Sequence, residues 1–301
     1  MVVFLLTILI FLLVHMLPGD PIETMLGDYA TEEAAAALRA QYNLDKPLPI
    51  QYFIWMGNII RGDWGVSITS KTAVMPQVLN RLPPTLMLCL IPSFLSLGVA
   101  IILGVISASR HNSPVDLGIS IGSLALLSVP EFWMGILLML LFAVVLNVLP
   151  AGGYVKPSVD FGKFLKSITL PVVTMILHSM PSTIRMVRSS MLEVLQEDYI
   201  MLARTKGNSP VRCNYIHGLR NSLIPIATNL SLQITSLMAG VIVIEKVFQF
   251  PGMGLLLLTA ITNRDYPMIQ ACIFVFSIIV VTVNLLTDIV YALIDPRIRY
   301  S

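Results

Sequence analysis

The 28 residues from Leu82 to Ser109 contain no Asp, Glu, Lys or Arg. As a helix such a run extends about 42 Å at ~1.5 Å per residue, more than the ~30 Å hydrocarbon core of a bilayer. Two further charge-free runs, the 18 residues Ser167 to Ile184 and the 24 residues Asn221 to Ile244, are also long enough to cross. A backbone inside lipid has to satisfy its hydrogen bonds within its own segment, so runs of this length are helices. Composition agrees: 12% of the chain is charged and 56% hydrophobic, whereas a soluble domain is about a quarter charged. The fold expected is all-α and polytopic. Cys89, Cys213 and Cys272 are scattered and offer neither a disulfide framework nor metal-ligand spacing. No GxxxxGK[ST] stretch is present, so a nucleotide would have to be hydrolysed by another chain. No catalytic constellation, metal site or nucleic-acid partner is expected.

The most informative polar interval is Met191 to Pro225, which lies between two of these runs. It carries Arg204, Lys206, Arg212 and Arg220, with Arg185 and Arg188 just before it. Clustered cations beside a membrane helix mark the cytoplasmic side. Glu193, Glu197 and Asp198 precede most of the cations, matching a helix whose end charges suit its dipole. Gly207-Asn208-Ser209-Pro210 reads as a C-cap and break. The shape expected is helix, glycine break, second helix, and re-entry at Pro225. The competing reading of the charge alone is a basic loop resting on anionic lipid.

The runs EDYIMLARTKG and HGLRNSLIPI within this interval resemble the cytoplasmic coupling loop of binding-protein-dependent ABC importer permeases, in their dipeptide, oligopeptide, glutathione and nickel branch. The general motif has Glu-Ala-Ala, three residues, Gly, and a later Ile-x-Leu-Pro. Counted back from Gly207, its Glu-Ala-Ala falls on Met201, Leu202 and Ala203, of which Ala203 is kept. Its Ile and Pro fall on His217 and Arg220, and Leu219 matches. LPGDP, GDWGVS, VFQFPGMG and NRDYP resemble the same branch. The resemblance implies a type I importer permease fold with six transmembrane helices. It also implies an ATPase-coupling loop at 191–221, carried by Glu197, Asp198, Tyr199, Ala203, Arg204, Lys206 and Gly207. The implied partners are a second permease subunit, two ATP-binding subunits that use ATP and Mg, and a periplasmic substrate-binding protein, with lipid around the chain. No cofactor is expected on this chain itself, nor enzyme activity.

Taken in order, residues 1–17 form the first span. A cleaved leader is disfavoured because a basic start is missing and MLPGDP is a poor cleavage site. Related permeases begin with a basic cluster absent here, which reads as a truncated or misassigned start. Leu17 to Pro21 stops the helix. Residues 18–84 read as a periplasmic region, with a capped helix from Thr31 and an amphipathic helix from Gln51 to Ile60. The transmembrane domain is expected at 85–292. The turn from Arg110 to Pro114 is basic, hence inside. Asp116 to Leu146 is read as one long third span kinked at Ser128-Val129-Pro130. An outer loop spans Asn147 to Lys166. The fourth and fifth spans are the runs at Ser167 and Asn221, and the sixth is Tyr266 to Thr287. Residues 293–301 form a basic tail. Both termini are placed in the cytoplasm and the chain in a bacterial inner membrane.

Intramembrane polar residues are costly and usually face a cavity or the bundle interior. On the fifth span Ser222, Asn229, Gln233, Ser236 and Gly240 share one helix face, and on the sixth Ser277, Asn284 and Asp288 do. With Glu131 after Pro130, the residues Asn229, Gln233, Ser236, Asn284 and Asp288 are the candidate wall of a translocation path. The alternative is helix-to-helix hydrogen bonding. The function expected is peptide import driven by ATP hydrolysis in partner subunits. Import of nickel or another metal chelate is the alternative within the class. An ion-gradient-driven secondary transporter is the alternative outside it, and would need ionisable relays and inverted repeats.

Overall fold

The computed structural model describes residues 2–16, 22, 26, 31–219 and 222–294. The expected stop at Leu17 to Pro21, Arg220, and the basic tail from residue 295 lie outside the described residues. The chain divides into two compact units, residues 1–85 with 251–281, and residues 86–250 with 282–301. Among the described residues every regular element is helical, apart from one isolated bridge between Val66 and Ala73.

The first unit contains α1 (Val2–His15), α2 (Glu32–Gln41), α3 (Leu48–Ile60), the start of α4 (Val74–Ser109), α11 (Met253–Thr262) and the first part of α12 (Tyr266–Ile294). Thr31 starts α2 by accepting the Ala34 N–H, and Glu32 and Glu33 place negative charge against the dipole. On α1, Thr7 shares a 2.9 Å hydrogen bond with the Tyr52 hydroxyl of α3. His15 meets Gln51 at 3.0 Å, and Gln51 in turn donates to the Lys46 carbonyl. Phe11, Tyr52 and Trp55 form an aromatic cluster, and Trp55 and Trp64 both set an edge against Phe274 of α12. The loop from Ser67 to Thr69 is tied to the buried Asp265, whose carboxylate accepts from the Ser67 hydroxyl and from the Ile68 and Thr69 N–H groups.

The second unit holds the rest of α4, then α5 (Pro114–Leu127), α6 (Glu131–Met139, continued by a π turn at Leu140–Val145), α7 (Phe161–Leu195), α8 (Asp198–Thr205), α9 (Pro210–Arg212, continued by a π segment at Cys213–Gly218) and α10 (Leu223–Val247). Asp160 caps α7 by accepting the Lys163 N–H at 2.9 Å. That bond and the Lys163 ammonium beside it hold the exposed Asp160 carboxyl below its ordinary range. α7 is the central helix: 61% of its membrane-length window is buried, against 28–39% for the other three long apolar helices. It packs on α5, α6 and α10. Val105 and Ala108 of α4, Val187 and Met191 of α7 and Ile226 of α10 form one core. A Cβ on Gly104 would lie 2.7 Å from the Val187 Cβ, so α4 and α7 touch closely there.

Two expectations about the spans change. Helix α4 begins at Val74, eight residues before the charge-free run, and takes in Arg81. The expected third span is two helices, α5 and α6, bent by 95°. Pro130 lacks the N–H to continue α5, and its ring pushes Val129 out of helical conformation, so the chain restarts with Pro130 as the N-cap of α6. Among the described residues α4, α7, α10 and α12 are long and apolar enough to cross a membrane, and the bent pair makes up to five. α1 adds 14 residues, apolar except for Thr7 and His15, about 21 Å of helix. Six spans are reached only if α1 and the bent pair each count as one.

Candidate functional site

The coupling-loop candidate is built from the end of α7 downward. α7 stops at Leu195, a two-residue turn follows, and α8 starts at Asp198. Ile200 and Ala203 are buried and anchor α8, while Glu197, Asp198, Tyr199, Thr205 and Lys206 are exposed. Gly207 has φ +81°, a left-handed geometry that glycine adopts at no steric cost. The Asn208 side chain closes the break by donating to the Ala203 carbonyl at 3.0 Å. Ser209 then caps the next turn by accepting the Arg212 N–H. The helix, glycine break and second helical segment follow the order expected. The side chains of Arg204 and His217 lie outside the described residues.

The exposed face of this segment also carries apolar side chains. Met201 is 66% exposed and Leu202 55% exposed, at two of the positions where the general motif has its Glu and first Ala. Val211 and Tyr215 are exposed beyond the break. In the sequence Met201 and Leu202 read only as departures from the general motif. The usable signal was their place between the buried Ile200 and Ala203 on a helix of 3.6 residues per turn.

Above the coupling segment, three helices meet at Gln233 of α10. Thr183 of α7 donates at 3.0 Å toward both the Gln233 carbonyl oxygen and the Asn229 carbonyl oxygen. The Gln233 amide donates to Ser96 of α4 at 2.5 Å. Gln233 is buried, Asn229 half-buried and Ser236 exposed, so the polar face of α10 turns from the helix interface to the open surface. Asn284 of α12 accepts from Ser231 of α10 at 3.1 Å, a residue outside the expected face, and Asp288 is exposed. Glu131 stands against Gly240 of α10. Its Oε1 has no hydrogen-bond partner among the described residues, and a Cβ on Gly240 would stand 2.7 Å from its Oε2. Glu131 and Gly240 are therefore in direct contact, while Gln233 and Asn229 share Thr183.

A second polar cluster was not legible in the sequence. Asp116 is 4% exposed. Its carboxylate accepts from Ser107 at 2.5 Å, from the Asn112 N–H at 3.0 Å and from two nitrogens of Arg188. His111 lies 3.1 Å from Arg188 Nη2. The cluster joins the end of α4, the basic turn and the start of α5 to α7, two helical turns before α7 ends. Among the described residues no group of three or more His, Cys, Asp or Glu side chains is placed to hold a metal.

The family model for the inner membrane component of binding-protein-dependent transport systems matches residues 100–300, and a companion model for the N-terminal part of such membrane components matches residues 1–89. The chain belongs to this family. The oligopeptide transport system permease protein AppB of Bacillus subtilis is 38% identical over 297 residues, covering 98% of this chain and 94% of AppB. The di/tripeptide transport system permease protein DppB of Pseudomonas aeruginosa is 38% identical over 316 residues, covering 98% and 94%. A chain from a solved structure of the MetNI methionine ABC transporter superposes with a TM-score of 0.63 at 14% identity, over 73% of this chain and 97% of that one. The fold is accordingly that of a type I importer permease. The transport-system component model takes in the coupling-loop candidate, Gln233 with Thr183, Glu131 and the Asp116–Arg188 cluster. The aromatic unit around Tyr52 and Trp55 falls within the N-terminal model.

Proposed function

We propose that this chain is the membrane permease of a peptide importer, driven by ATP hydrolysis in separate subunits. The observation that carries this is the 38% identity, over nearly the whole length of each chain, to permeases named for oligopeptide and for di/tripeptide transport. The assembly we infer has a second permease, two ATP-binding subunits using ATP and Mg, and a periplasmic binding protein. Glu197, Asp198, Tyr199, Ala203, Arg204, Lys206 and Gly207 mark the segment that meets an ATPase subunit. The exposed Met201 and Leu202 add the apolar contact expected at the centre of such an interface. Residues 18–84 are assigned to the periplasm, 85–292 to the transmembrane domain, and both termini to the cytoplasm. Asn229, Gln233, Ser236, Asn284, Asp288 and Glu131 are the proposed polar lining of the path. A peptide can exchange weak hydrogen bonds with such amides without being held. The test is ATP-dependent uptake of tritiated di- and tripeptides into proteoliposomes containing the whole complex, with the binding protein supplied outside and ATP enclosed in the lumen. Peptide uptake abolished without ATP supports the assignment. Uptake of nickel but of no peptide would replace it.

A further inference from the structure

The first unit encloses a cavity of about 530 Å³, within the ~300–1,000 Å³ usual for small-molecule sites. Its wall includes His15 at the end of α1 and Tyr266 at the start of α12, together with residues of α2, α3 and the loop from Asp63 to Lys71. The wall is unfinished in its hydrogen bonding. Gln270 is 7% exposed and lines the cavity, yet its side-chain amide has no hydrogen-bond partner among the described residues. The half-buried Asn58, Trp55 and Trp64 also line it, and their side chains make no hydrogen bond among the described residues. None of these groups is sealed from water, so two amides and two tryptophans line one accessible space with hydrogen-bonding capacity open to a ligand. Asp63 and Lys71, both exposed, supply one anion and one cation at the cavity wall.

We propose that this cavity is a binding site for a short unblocked peptide, separate from the polar face of α10. The complementarity is specific in kind. The amides of Gln270 and Asn58 each offer a donor and an acceptor, which is what a peptide bond presents in reverse. The two indoles add donors and apolar faces for small side chains. Asp63 suits a free α-ammonium and Lys71 a free α-carboxylate. A lipid acyl chain would leave both amides unsatisfied, and an inorganic ion would leave the indole faces unused. The inference rests on the reading of the chain as a peptide importer permease and adds a second peptide site in its N-terminal unit.

The experiment uses the whole permease–ATPase complex in nanodiscs, without the binding protein. Equilibrium dialysis with tritiated trialanine is expected to show saturable binding that Gln270→Leu and Asn58→Ala each weaken at least tenfold. N-acetyl-trialanine amide is expected to compete at least tenfold less well than trialanine. Because Gln270→Leu could disturb folding, the wild-type complex is also irradiated with a tripeptide carrying a diazirine side chain. Adducts are expected within residues 51–71 or 266–274. Adducts confined to α7 and α10, saturable binding indifferent to both substitutions, or equal competition by the blocked peptide would overturn the proposal. No saturable binding in a system that still imports trialanine would overturn it while leaving the importer assignment standing. Absence of both binding and import would remove both.

Discussion

Arg188 of α7 grips Asp116 of α5 with two nitrogens, Nε on one carboxylate oxygen at 2.7 Å and Nη2 on the other at 2.8 Å. Bidentate geometry of this kind is available to arginine and not to lysine. Removing one partner leaves a charge buried without its counter-ion, a loss of ~3–5 kcal/mol in comparable pairs. Arg188→Met is expected to lower the melting temperature and yield of the purified complex sharply. The double variant Arg188→Met, Asp116→Asn should recover a large part of the loss, because no lone charge remains. Thermal unfolding followed by size-exclusion fluorescence reads both. Equal stability of single and double variants would show that the pair is not coupled.

Gly207 has left-handed backbone, yet a Cβ there would meet no atom within 4 Å. The cost of substitution is therefore conformational, ~1–2 kcal/mol for a residue forced into that region, and not steric. Gly207→Val is expected to leave membrane insertion and complex assembly near normal. Substrate-stimulated ATPase activity of the reconstituted complex should fall several-fold. Unchanged stimulation would separate the glycine break from coupling.

The pair Met201 and Leu202 is exposed without a partner surface of its own. Replacing both by Ser is expected to weaken capture of the ATPase subunits at least tenfold, since burying one such side chain is worth ~1.5–3 kcal/mol and tenfold corresponds to ~1.4. Co-purification at graded ATPase-subunit concentration measures this. Lys206→Ser, with a solvated charge lost instead, should shift the same curve less.

Gly240 and Glu131 share one small space, with the built Cβ 2.7 Å from Oε2. Gly240→Ala should displace the Glu131 carboxylate and reduce peptide uptake. Glu131→Ala should reduce uptake as well. The double variant is expected to be no worse than Glu131→Ala alone, since the displaced group is already gone. Losses that multiply would mean the two residues act independently.

Membrane orientation can be read by cysteine labelling, and the structure decides where the probes go. Cys89, Cys213 and Cys272 are all buried, so Cys213 would stay unlabelled on either side of the membrane. A side chain at Gly152 would collide with the Phe248 carbonyl oxygen at 2.5 Å. Val159 is 76% exposed and Lys206 is exposed, so each accepts a probe. On a cysteine-free background an impermeant maleimide should modify Val159→Cys in intact spheroplasts, and Lys206→Cys only after permeabilisation. The reverse pattern would invert the proposed topology.

Charge spacing made much of this fold legible. The empty runs at Leu82 and Ser167 fall within long apolar helices, the run from Asn221 coincides with a third from Leu223 onward, and Gly207 breaks the polar segment as its neighbours indicated. Helix ends were less legible. Arg81 lies inside α4 because one long cation near a helix end does not stop a helix; it only marks where lipid gives way to water. Pro130 signalled a break without its angle, since proline interrupts the ladder and tertiary contacts choose the direction. Asp116 and Arg188 looked like two unrelated charges because their pairing spans 72 residues and depends on how α5 lies on α7. The same holds for Thr183, an ordinary small residue in a charge-free run until α10 places Gln233 and Asn229 against it.

Helix α7 runs as one piece from Phe161 to Leu195, about 52 Å. The 12 steps from Thr183 to Leu195 cover about 18 Å of it. If the segment after it meets an ATPase, as proposed, the helix has the form of a lever. A push delivered where α8 begins reaches the hydroxyl that holds Gln233 without crossing a loop, and passes the Arg188 grip on the way. Pro181 sits two residues beyond Thr183 and removes one rung of the helix, the bond to Leu177. That missing rung makes the far arm able to flex against the near one. Stroke would then be spent at the Thr183 level, beside the amides that line the proposed path, and little of it would be carried on to Phe161.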